Sequence, residues 1–454
     1  MRSDSKVFFA ETPPVRLFFR AAVPGVISMV SMSLYSILEG IFVGQFCGEL
    51  AFAAMNLAMP FVIINFALSD LIGVGSSIPI SIAHGQQNDE RANGIFSLAF
   101  FLILASALCM GLIMYRLAPL LMGWMGAEGE LYELSVRYLR LNAMFCPFTS
   151  LIFSMDNYLR VCGFVRGSML LNIFMSLLQI AFLTLFVAIL RWELLGAGLA
   201  INLGMACCAV LALIPFLLRK TRLQFVKPRF SWSLLREIAA CGSPVFFNNI
   251  AGRLTAIVLN ALLLRRGGAT AVATYSILMY ASELIWPMLY GMCDSLQPAI
   301  GYNWGARALD RVKALTRCMF TASAIVSVLA STAVFLFPSV LVSFYVDSGD
   351  LALREMAAHA LRLYCLGYLF RWFGFSAQTF FNAIKRPFYS SLLTLCNTFV
   401  FPMLLVFALW PLGLDGIWLN QPGSFLLVAL LAFVLLQKTR RMLAAEEAAQ
   451  DSLS

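Results

Sequence analysis

Hydrophobic residues in this chain fall into long runs, separated by short segments rich in charged residues, glycine and proline. A membrane-spanning helix needs about 20 mainly apolar residues. The pattern therefore predicts an all-α polytopic membrane protein with twelve transmembrane helices. The predicted spans are 22–44, 53–80, 94–115, 136–158, 168–190, 195–218, 237–264, 270–299, 314–337, 353–381, 388–410 and 415–437.

The two halves of the chain share residues at a nearly constant spacing. The matched pairs are Pro24 and Pro244, Gly85 and Gly305, Arg91 and Arg311, Asn202 and Asn420, and the motif LRL at 139–141 and 361–363. Because each half holds six spans, the second begins on the same side of the membrane as the first, which predicts a parallel internal repeat. We predict an N-terminal six-helix lobe at 1–218, a cytoplasmic linker at 219–236, and a C-terminal six-helix lobe with a short cytoplasmic tail at 237–454.

Composition and charge agree with a membrane protein. The chain is 61% hydrophobic and 12% charged, whereas soluble domains are about 45–50% apolar. Of its 32 Lys and Arg residues, 22 lie in loops and helix ends on the side that holds both termini, and eight lie on the other side. The positive-inside rule therefore places both termini of a multi-pass protein in the cytoplasm. The net charge of +9 is explained by these loops, so we expect no nucleic-acid partner.

The first span carries an acid, Glu39, within an otherwise apolar helix. Steps of three or four residues back from Glu39 reach Tyr35, Ser31 and Ser28, so the polar groups share one stripe. An ionisable residue inside the membrane is by default a functional-site hypothesis, and we predict that Glu39 and Tyr35 take part in cation coupling. The alternative is a structural hydrogen bond between two helices. Asp70 of the second span is expected to face the same lobe.

Three motifs resemble those of the multidrug and toxin extrusion (MATE) family. Residues 34–44 (LYSILEGIFVG), with Ala53, Ala54 and Pro60, resemble the first-helix signature, in which an acid precedes a Phe-Val-Gly-like end. Residues 297–306 (QPAIGYNWGA) and 159–163 (LRVCG) are similar to the family motifs after helices eight and four. The resemblance covers nearly the whole chain and is closest to the MepA-like bacterial branch. It implies an exporter of drugs and cations, driven by inward movement of H+ or Na+, in the bacterial plasma (inner) membrane.

The family motifs are matched in part. Glu39 stands where the family commonly has Asp, and the fifth-helix pair of Asn and Asp is present as Asn172 and Ser176. The resemblance therefore implies a coupling site with Glu39 and Asn172, at which Ser176 replaces a second carboxylate. The seventh span has Asn248, Asn249, Arg253 and Asn260, where some members carry an acid.

The eighth span carries an acidic and aromatic stripe. Its residues at three- and four-residue steps are Tyr275, Met279, Glu283, Trp286, Tyr290 and Asp294. Aromatic rings and thioethers beside a carboxylate suit a flat organic cation, and we predict substrate contacts from Tyr275, Met279, Glu283, Trp286 and Tyr290, with Asn249, Arg253 and Arg371 nearby. The alternative is ordinary aromatic packing between helices.

Charged residues inside spans are usually paired with opposite charges. Arg253 and Arg371 are therefore predicted to pair with Glu283 or Asp294 in a structural network, or to contact substrate. Asp156 lies four residues before Arg160, a spacing that predicts a local ion pair.

Other classes of function fit the sequence less well. The chain has two histidines, no HExxH motif and no phosphate-binding loop, which argues against a membrane enzyme or a nucleotide-driven pump. We expect no cofactor other than a coupling H+ or Na+, a monomer in the lipid bilayer, and drugs or organic cations as substrates. A passive channel suits the two-lobed repeat less well than alternating access. The runner-up is a flippase for lipid-linked sugars, whose groove would be basic, and Arg253 and Arg371 keep it open.

Overall fold

A computed structural model describes residues 6–228, 230–283, 285–343, 345 and 351–451, the last nine by their backbone alone. About 90% of the chain is helical. No strand occurs in the described ranges. The predicted all-α fold is confirmed.

The helices of the first half follow the hydrophobic pattern. They are α1 (Pro14–Phe46), α2 (Gly48–Gly85), α3 (Asp89–Trp124), α4 (Gly129–Val161), α5 (Val165–Leu183) and α6 (Glu193–Leu217). A one-turn π-helix, Val7–Glu11, precedes α1, and a second, Thr184–Ile189, continues α5. The first six predicted spans all lie on these helices.

The second half is more interrupted. Its helices are α7 (Trp232–Ser282), α8 (Trp286–Gly305), α9 (Leu309–Leu336), α10 (Pro338–Ser343), α11 (Leu351–Tyr364), α12 (Tyr368–Ala383), α13 (Pro387–Leu395), α14 (Phe401–Ala408), α15 (Leu414–Trp418) and α16 (Asn420–Asp451). Short 3-10 turns lie at Cys365–Gly367 and Trp410–Leu412, and a π-turn lies at Cys396–Val400. The tenth span is therefore α11 with α12, and the eleventh is α13 with α14.

The 51 residues of α7 contain the seventh predicted span and the start of the eighth. Gly268 has φ 64° and ψ −159°, a backbone conformation that residues with a side chain rarely adopt. The chain therefore breaks at this glycine, between the seventh span and the eighth, as the sequence predicts.

Eight helical segments of the described chain are long and apolar enough to cross a membrane. The first, Pro14–Gly85, contains the first two predicted spans, and Trp232–Ser282 contains the seventh and the start of the eighth. The fourth span carries more charge, with Arg137, Arg140 and Asp156, and so does the tenth, with Arg362 and Arg371. The chain is a multi-span helical membrane protein.

The internal repeat is visible in the turns between helices. Gln87, Gly163, Arg307 and Lys385 each end a helix with a positive φ. At each, the residue donates its amide to a carbonyl three residues back, and the next residue donates to one five back. Gln87 corresponds to Arg307 and Gly163 to Lys385, at the same spacings as the residue pairs shared by the two halves of the sequence.

By contacts, the chain forms two units. The first contains the residues up to Asn249 together with Tyr290–Leu315, and the second contains Ile250–Leu289 and the residues from Thr316 on. In the first unit α4 packs on α2, α3 and α6, and α1 packs on α5. In the second unit α12 packs on α13 and α16. The predicted lobe boundaries at 218 and 237 stay a prediction, because contacts and repeats divide a chain by different criteria.

Within the first unit, α2 and α8 meet at what we call the glycine junction, formed by Ile82, Gly85, Tyr302 and Gly305. A Cβ on Gly85 would meet the carbonyl oxygen of Tyr302, and a Cβ on Gly305 would meet that of Ile82. Ile82 corresponds to Tyr302 in the repeat and Gly85 to Gly305, so the contact is reciprocal. Glycine is needed because the two backbones touch.

We expect Gly85→Ala to destabilise the protein by about 1–3 kcal/mol, because the added methyl overlaps the Tyr302 backbone and forces α2 and α8 apart. The control is Gly94→Ala in α3, where nothing lies within 4 Å of the added atom and alanine favours the helix. Thermal unfolding in detergent compares the two variants. Equal melting temperatures would show that the junction tolerates a side chain.

Candidate functional site

The first candidate site surrounds Glu39 in the half of α1 that is remote from its Pro14 end. Tyr35, one helical turn earlier on the same face, is 6% exposed. The Tyr35 hydroxyl lies next to the Glu39 carboxyl. Among the described residues, this hydroxyl and the Glu39 Oε1 atom are both buried, and neither makes a hydrogen bond of ordinary geometry. Tyr138 of α4 is an electrostatic neighbour of Glu39. Buried polar atoms are rarely left unpaired, which distinguishes these two atoms from most of the protein interior.

Hydrophobic side chains enclose this region. Val43 of α1, Ala54 and Met55 of α2, and Tyr138 of α4 belong to one buried cluster. Further along the stripe, Ser28 is buried and Ser31 donates a hydrogen bond of 2.8 Å to the carbonyl of Ile27. The structure thus places the stripe's acid and Tyr35 against protein, which fits the predicted orientation away from lipid.

A second polar cluster joins the end of α4 to the start of α5. The Arg160 Nη2 atom lies 2.6 Å from Asp156 Oδ2, which confirms the predicted ion pair. Asp156 Oδ1 accepts hydrogen bonds from Ser168 Oγ at 2.5 Å and Asn172 Nδ2 at 3.1 Å. Arg160 Nε also donates to Ser168 Oγ at 3.1 Å. All four residues are buried, so this charge pair is fully hydrogen-bonded in the interior.

This cluster changes the interpretation of Asn172. The resemblance groups Asn172 and Ser176 with Glu39, but the side chain of Asn172 donates its hydrogen bond to Asp156. The Ser176 hydroxyl, one turn further along α5, is buried without a hydrogen-bond partner among the described residues. The coupling role of both residues stays a prediction.

Sequence reasoning missed the wider cluster, although a signal was present. Asp156 and Asn172 lie eight residues before and after Phe164, and Arg160 and Ser168 lie four before and after it. Because α4 and α5 are joined by a tight turn at this point, positions equidistant from it face one another.

A third group of polar residues lies in the first unit on α2, α7 and α8. Asn249 Nδ2 donates to Asp70 Oδ2 at 3.4 Å. Asp294 is an electrostatic neighbour of Asp70 and of Arg160. The sequence predicts that Asp294 pairs with Arg253 or Arg371. Within the first unit, the charged residues near Asp294 are Asp70 and Arg160. Asn249, predicted to bind substrate, is bonded to a carboxylate.

The second unit exposes two charges in the middle of predicted spans. Glu283 and Arg253 are both exposed side chains, and Arg253 is the charged neighbour of Glu283. Charged residues at membrane depth face the interior of a bundle or a water-filled cavity. Both side chains lie on an exposed face of this unit, and the predicted pairing of Arg253 with Glu283 stays a prediction.

Arg371 has a different environment. It is 5% exposed, and its guanidinium carbon lies 5.2 Å from the ring centre of Phe425, 5.3 Å from Phe375 and 5.9 Å from Trp286. The Trp286 ring also meets Tyr368 edge to face at 5.0 Å. Cation–π contacts of this kind stabilise a buried guanidinium. They favour a structural role for Arg371 over direct contact with substrate.

The other members of the aromatic stripe are also packed. Tyr275 is 6% exposed and belongs to the core of the second unit, and Met279 and Trp286 pack against that core. Tyr290 belongs to the first unit. These positions favour the packing alternative for Tyr275, Met279 and Trp286, whose substrate contacts stay a prediction.

Within the described ranges, no three residues of the types His, Cys, Asp or Glu lie close enough to hold a metal ion. The eleven cysteines are in the thiol form. The ionisable groups that these sites offer are carboxyl groups and guanidinium groups.

Comparisons with known proteins agree with the fold. The family described as MatE matches the chain twice, at residues 24–185 and 244–408, and the two segments begin at the matched prolines Pro24 and Pro244. The multidrug export protein MepA of Staphylococcus aureus (strain NCTC 8325 / PS 47) is 24% identical over 379 residues, 83% of each chain.

Two solved structures show the same fold. One, a MATE in complex with MaL6, has a TM-score of 0.92 at 21% identity and covers 98% of this chain and 100% of its own. The other, an outward-facing multidrug resistance MATE transporter, has a TM-score of 0.91 at 22% identity and covers 98% and 99%. The repeat, the helical architecture and the two family matches lead to one conclusion. The chain belongs to the MatE family of multidrug and toxin extrusion transporters and is MepA-like.

Proposed function

We propose that the protein is a secondary active multidrug exporter that moves organic cations or drugs out of the cell in exchange for H+ or Na+. The observation that carries this proposal is the Glu39 carboxyl, which lies next to the Tyr35 hydroxyl and whose buried Oε1 atom makes no hydrogen bond of ordinary geometry among the described residues. The name of the MepA relative, a multidrug export protein, supports the substrate class.

The exchange follows from the two states of this carboxyl. A carboxylate removed from water is unfavourable unless it is paired, and a bound H+ or Na+ supplies the partner. Release of that ion leaves a charge that favours a different arrangement of helices. Each ligand then shifts the equilibrium between the inward-open and outward-open states by its differential affinity for them.

Substrate selection is assigned to the exposed charges of the second unit. Glu283 attracts a cation to the water-filled face, and the nearby Arg253 weakens that attraction. The two charges together favour moderate affinity, which an exporter needs in order to release its substrate.

We expect Glu283→Gln to reduce export of ethidium about fivefold, because an attraction across about 4 Å of water contributes about 1 kcal/mol. A neutral substrate should be exported at the wild-type rate. The matched variant, Arg253→Gln, removes the opposing charge and should increase cation export. Initial rates in proteoliposomes measure both, and equal loss for cationic and neutral substrates would assign Glu283 a structural role.

The setting proposed for this activity is the bacterial plasma membrane. The loops that hold most Lys and Arg residues, which we call the basic end, are proposed to face the cytoplasm, as are both termini. We propose a monomer without cofactors. The flippase alternative needs a basic groove, but Arg371 is enclosed by rings and the exposed Arg253 lies near Glu283, which supports the exporter.

The test is transport of ethidium by protein reconstituted in liposomes, with pH and Na+ gradients imposed separately. Export driven by one of the gradients supports the proposal and identifies the ion. Ethidium movement at the rate of empty liposomes under both gradients would overturn it.

A further inference from the structure

Residues 7–12, which we call the lead segment, are tied to α8 and α9 at the basic end of the first unit. The side chain of Phe9 is 1% exposed, and its ring lies 5.5 Å from that of Tyr302. The Phe9 carbonyl accepts hydrogen bonds from Asn303 Nδ2 at 3.1 Å and Arg311 Nη2 at 3.0 Å. Arg311 Nη2 also donates to the carbonyl of Thr12 at 2.6 Å.

The side chain of Arg311 is itself held in place by hydrogen bonds. Its Nε donates to Asn303 Oδ1 at 3.0 Å, and Asn303 in turn donates to the Ala299 carbonyl at 2.8 Å. Hydrogen bonds from a charged group are about twice as strong as those between neutral groups. The lead segment is thus bound by its backbone and by one buried ring, which is a specific attachment.

The attachment lies beside the glycine junction. Tyr302, which packs on Phe9, is also the residue whose backbone touches Gly85 of α2. Gln87, just after α2, donates a hydrogen bond of 3.0 Å to the Tyr302 hydroxyl. The lead segment, which continues into α1, therefore contacts α8 at the place where α8 packs on α2. Pro13 and Pro14 follow it directly and restrict the backbone, so movement of the segment is coupled to movement of α1.

The equivalent position in the first repeat is built differently. Arg91, the counterpart of Arg311, lies 3.4 Å from Glu237 and is 46% exposed. In the described part of the chain, the guanidinium of Arg91 donates to this carboxylate and not to a backbone carbonyl. The residues that precede α7 are bound instead through their amides, Gln224 to Asn93 at 2.8 Å and Val226 to Ser97 at 2.9 Å. The arginine-centred attachment is specific to the lead segment.

We propose that the lead segment, with Asn303 and Arg311, is a latch that holds the basic end closed. It joins α1, α8 and α9 when these helices are packed together, and it must detach when this end opens. The strength of the latch then sets the resting balance between the two conformations, independently of the coupling ion and the substrate.

Native thiols allow the test without added probes. Cys241 of α7 is 1% exposed and adjoins Gly242, which contacts Leu71 of α2. Cys293 of α8 is 0% exposed and lies between Gly291 and Ser295, which contact Gly25 of α1. Both thiols should become accessible when the basic end opens. Cys208 of α6, buried in the hydrophobic core of the first unit, reports general unfolding.

The experiment measures the rate at which N-ethylmaleimide labels each thiol in the reconstituted full-length protein, read by peptide mass spectrometry. We expect Arg311→Gln to label Cys241 and Cys293 about tenfold faster than wild type, because two charge-assisted bonds to the latch are lost, while Cys208 is unchanged. The matched control is Arg91→Gln, which removes a pair whose arginine is 46% exposed and should stay within about twofold of wild type.

Labelling of Cys241 and Cys293 at the wild-type rate in Arg311→Gln would overturn the proposal, as would an equal increase in Arg91→Gln. If Arg311→Gln also exposes Cys208, a chain lacking residues 2–12 decides the question, since it removes the whole lead segment and leaves α8 and α9 intact. Faster labelling of Cys241 and Cys293 alone in that chain supports the latch, and wild-type rates overturn it. The result does not depend on whether the protein transports drugs.

Discussion

Glu39→Gln is expected to reduce gradient-driven export to the rate of empty liposomes while leaving a folded protein that still binds ethidium. Glutamine has nearly the shape of a protonated glutamic acid, so the variant holds the site permanently in its neutral state. A site that cannot alternate between charge states cannot exchange an ion, and linkage between ion and substrate is lost. Transport under imposed pH and Na+ gradients, with binding measured by ethidium fluorescence, separates coupling from folding.

Two variants provide the controls for Glu39. Glu39→Asp keeps the carboxyl and restores the residue that the family commonly has, so it should retain transport. Glu49→Gln makes the same chemical change ten residues later, on an exposed side chain at the start of α2, and should be neutral. If Glu39→Gln pumps at the wild-type rate under either gradient, Glu39 is a structural residue.

Asp156→Ala is expected to destabilise the protein by about 3–5 kcal/mol, because an uncompensated buried charge is severely unfavourable. The change leaves the guanidinium of Arg160, only 5% exposed, without its carboxylate. Ser168 and Asn172 also lose their acceptor. We expect a large fall in the melting temperature in detergent.

The chain offers a matched control for Asp156 on the same helix. Glu133 and Arg137 have the same four-residue spacing, but their side chains are 68% and 64% exposed. Glu133→Ala should therefore change stability by about 0–1 kcal/mol. Similar melting temperatures for Asp156→Ala and Glu133→Ala would show that burial does not strengthen the ion pair of Asp156 and Arg160.

The helices could be predicted from the sequence because lipid imposes a simple rule on composition. Each span needs a run of apolar residues, and its ends need charge or a helix-breaking residue, as at Gly268. Interruptions within a span leave no such mark. The π-turn at Cys396–Val400 and the 3-10 turn at Cys365–Gly367 depend on packing between helices, which the apolar pattern does not encode.

The sequence predicts those parts of the candidate sites whose residues lie on a single helix. The stripe of Glu39 and Tyr35 follows from helical spacing, and so does the pair of Asp156 and Arg160. The partner across a helix interface does not. Similar depth in the membrane predicts that Arg371 lies near acidic residues. The structure places its guanidinium over the ring of Phe425, on helix α16, which is distant in sequence. The sequence position of a residue in a span predicts its depth in the membrane. The neighbouring helix that its side chain contacts is known only from the tertiary structure.

The reciprocal contact of Gly85 with Tyr302 and Gly305 with Ile82 has the form of an isologous interface. In such an interface the same surface is used on both partners, as in a twofold homodimer. A half-length chain with six spans could associate with a second copy of itself through this contact, because six spans return each terminus to the same side. Fusion of the two copies would then free each half to diverge. Glu39 in the first half, with Arg253 and Glu283 in the second, is the outcome expected of subunits that no longer have to be identical.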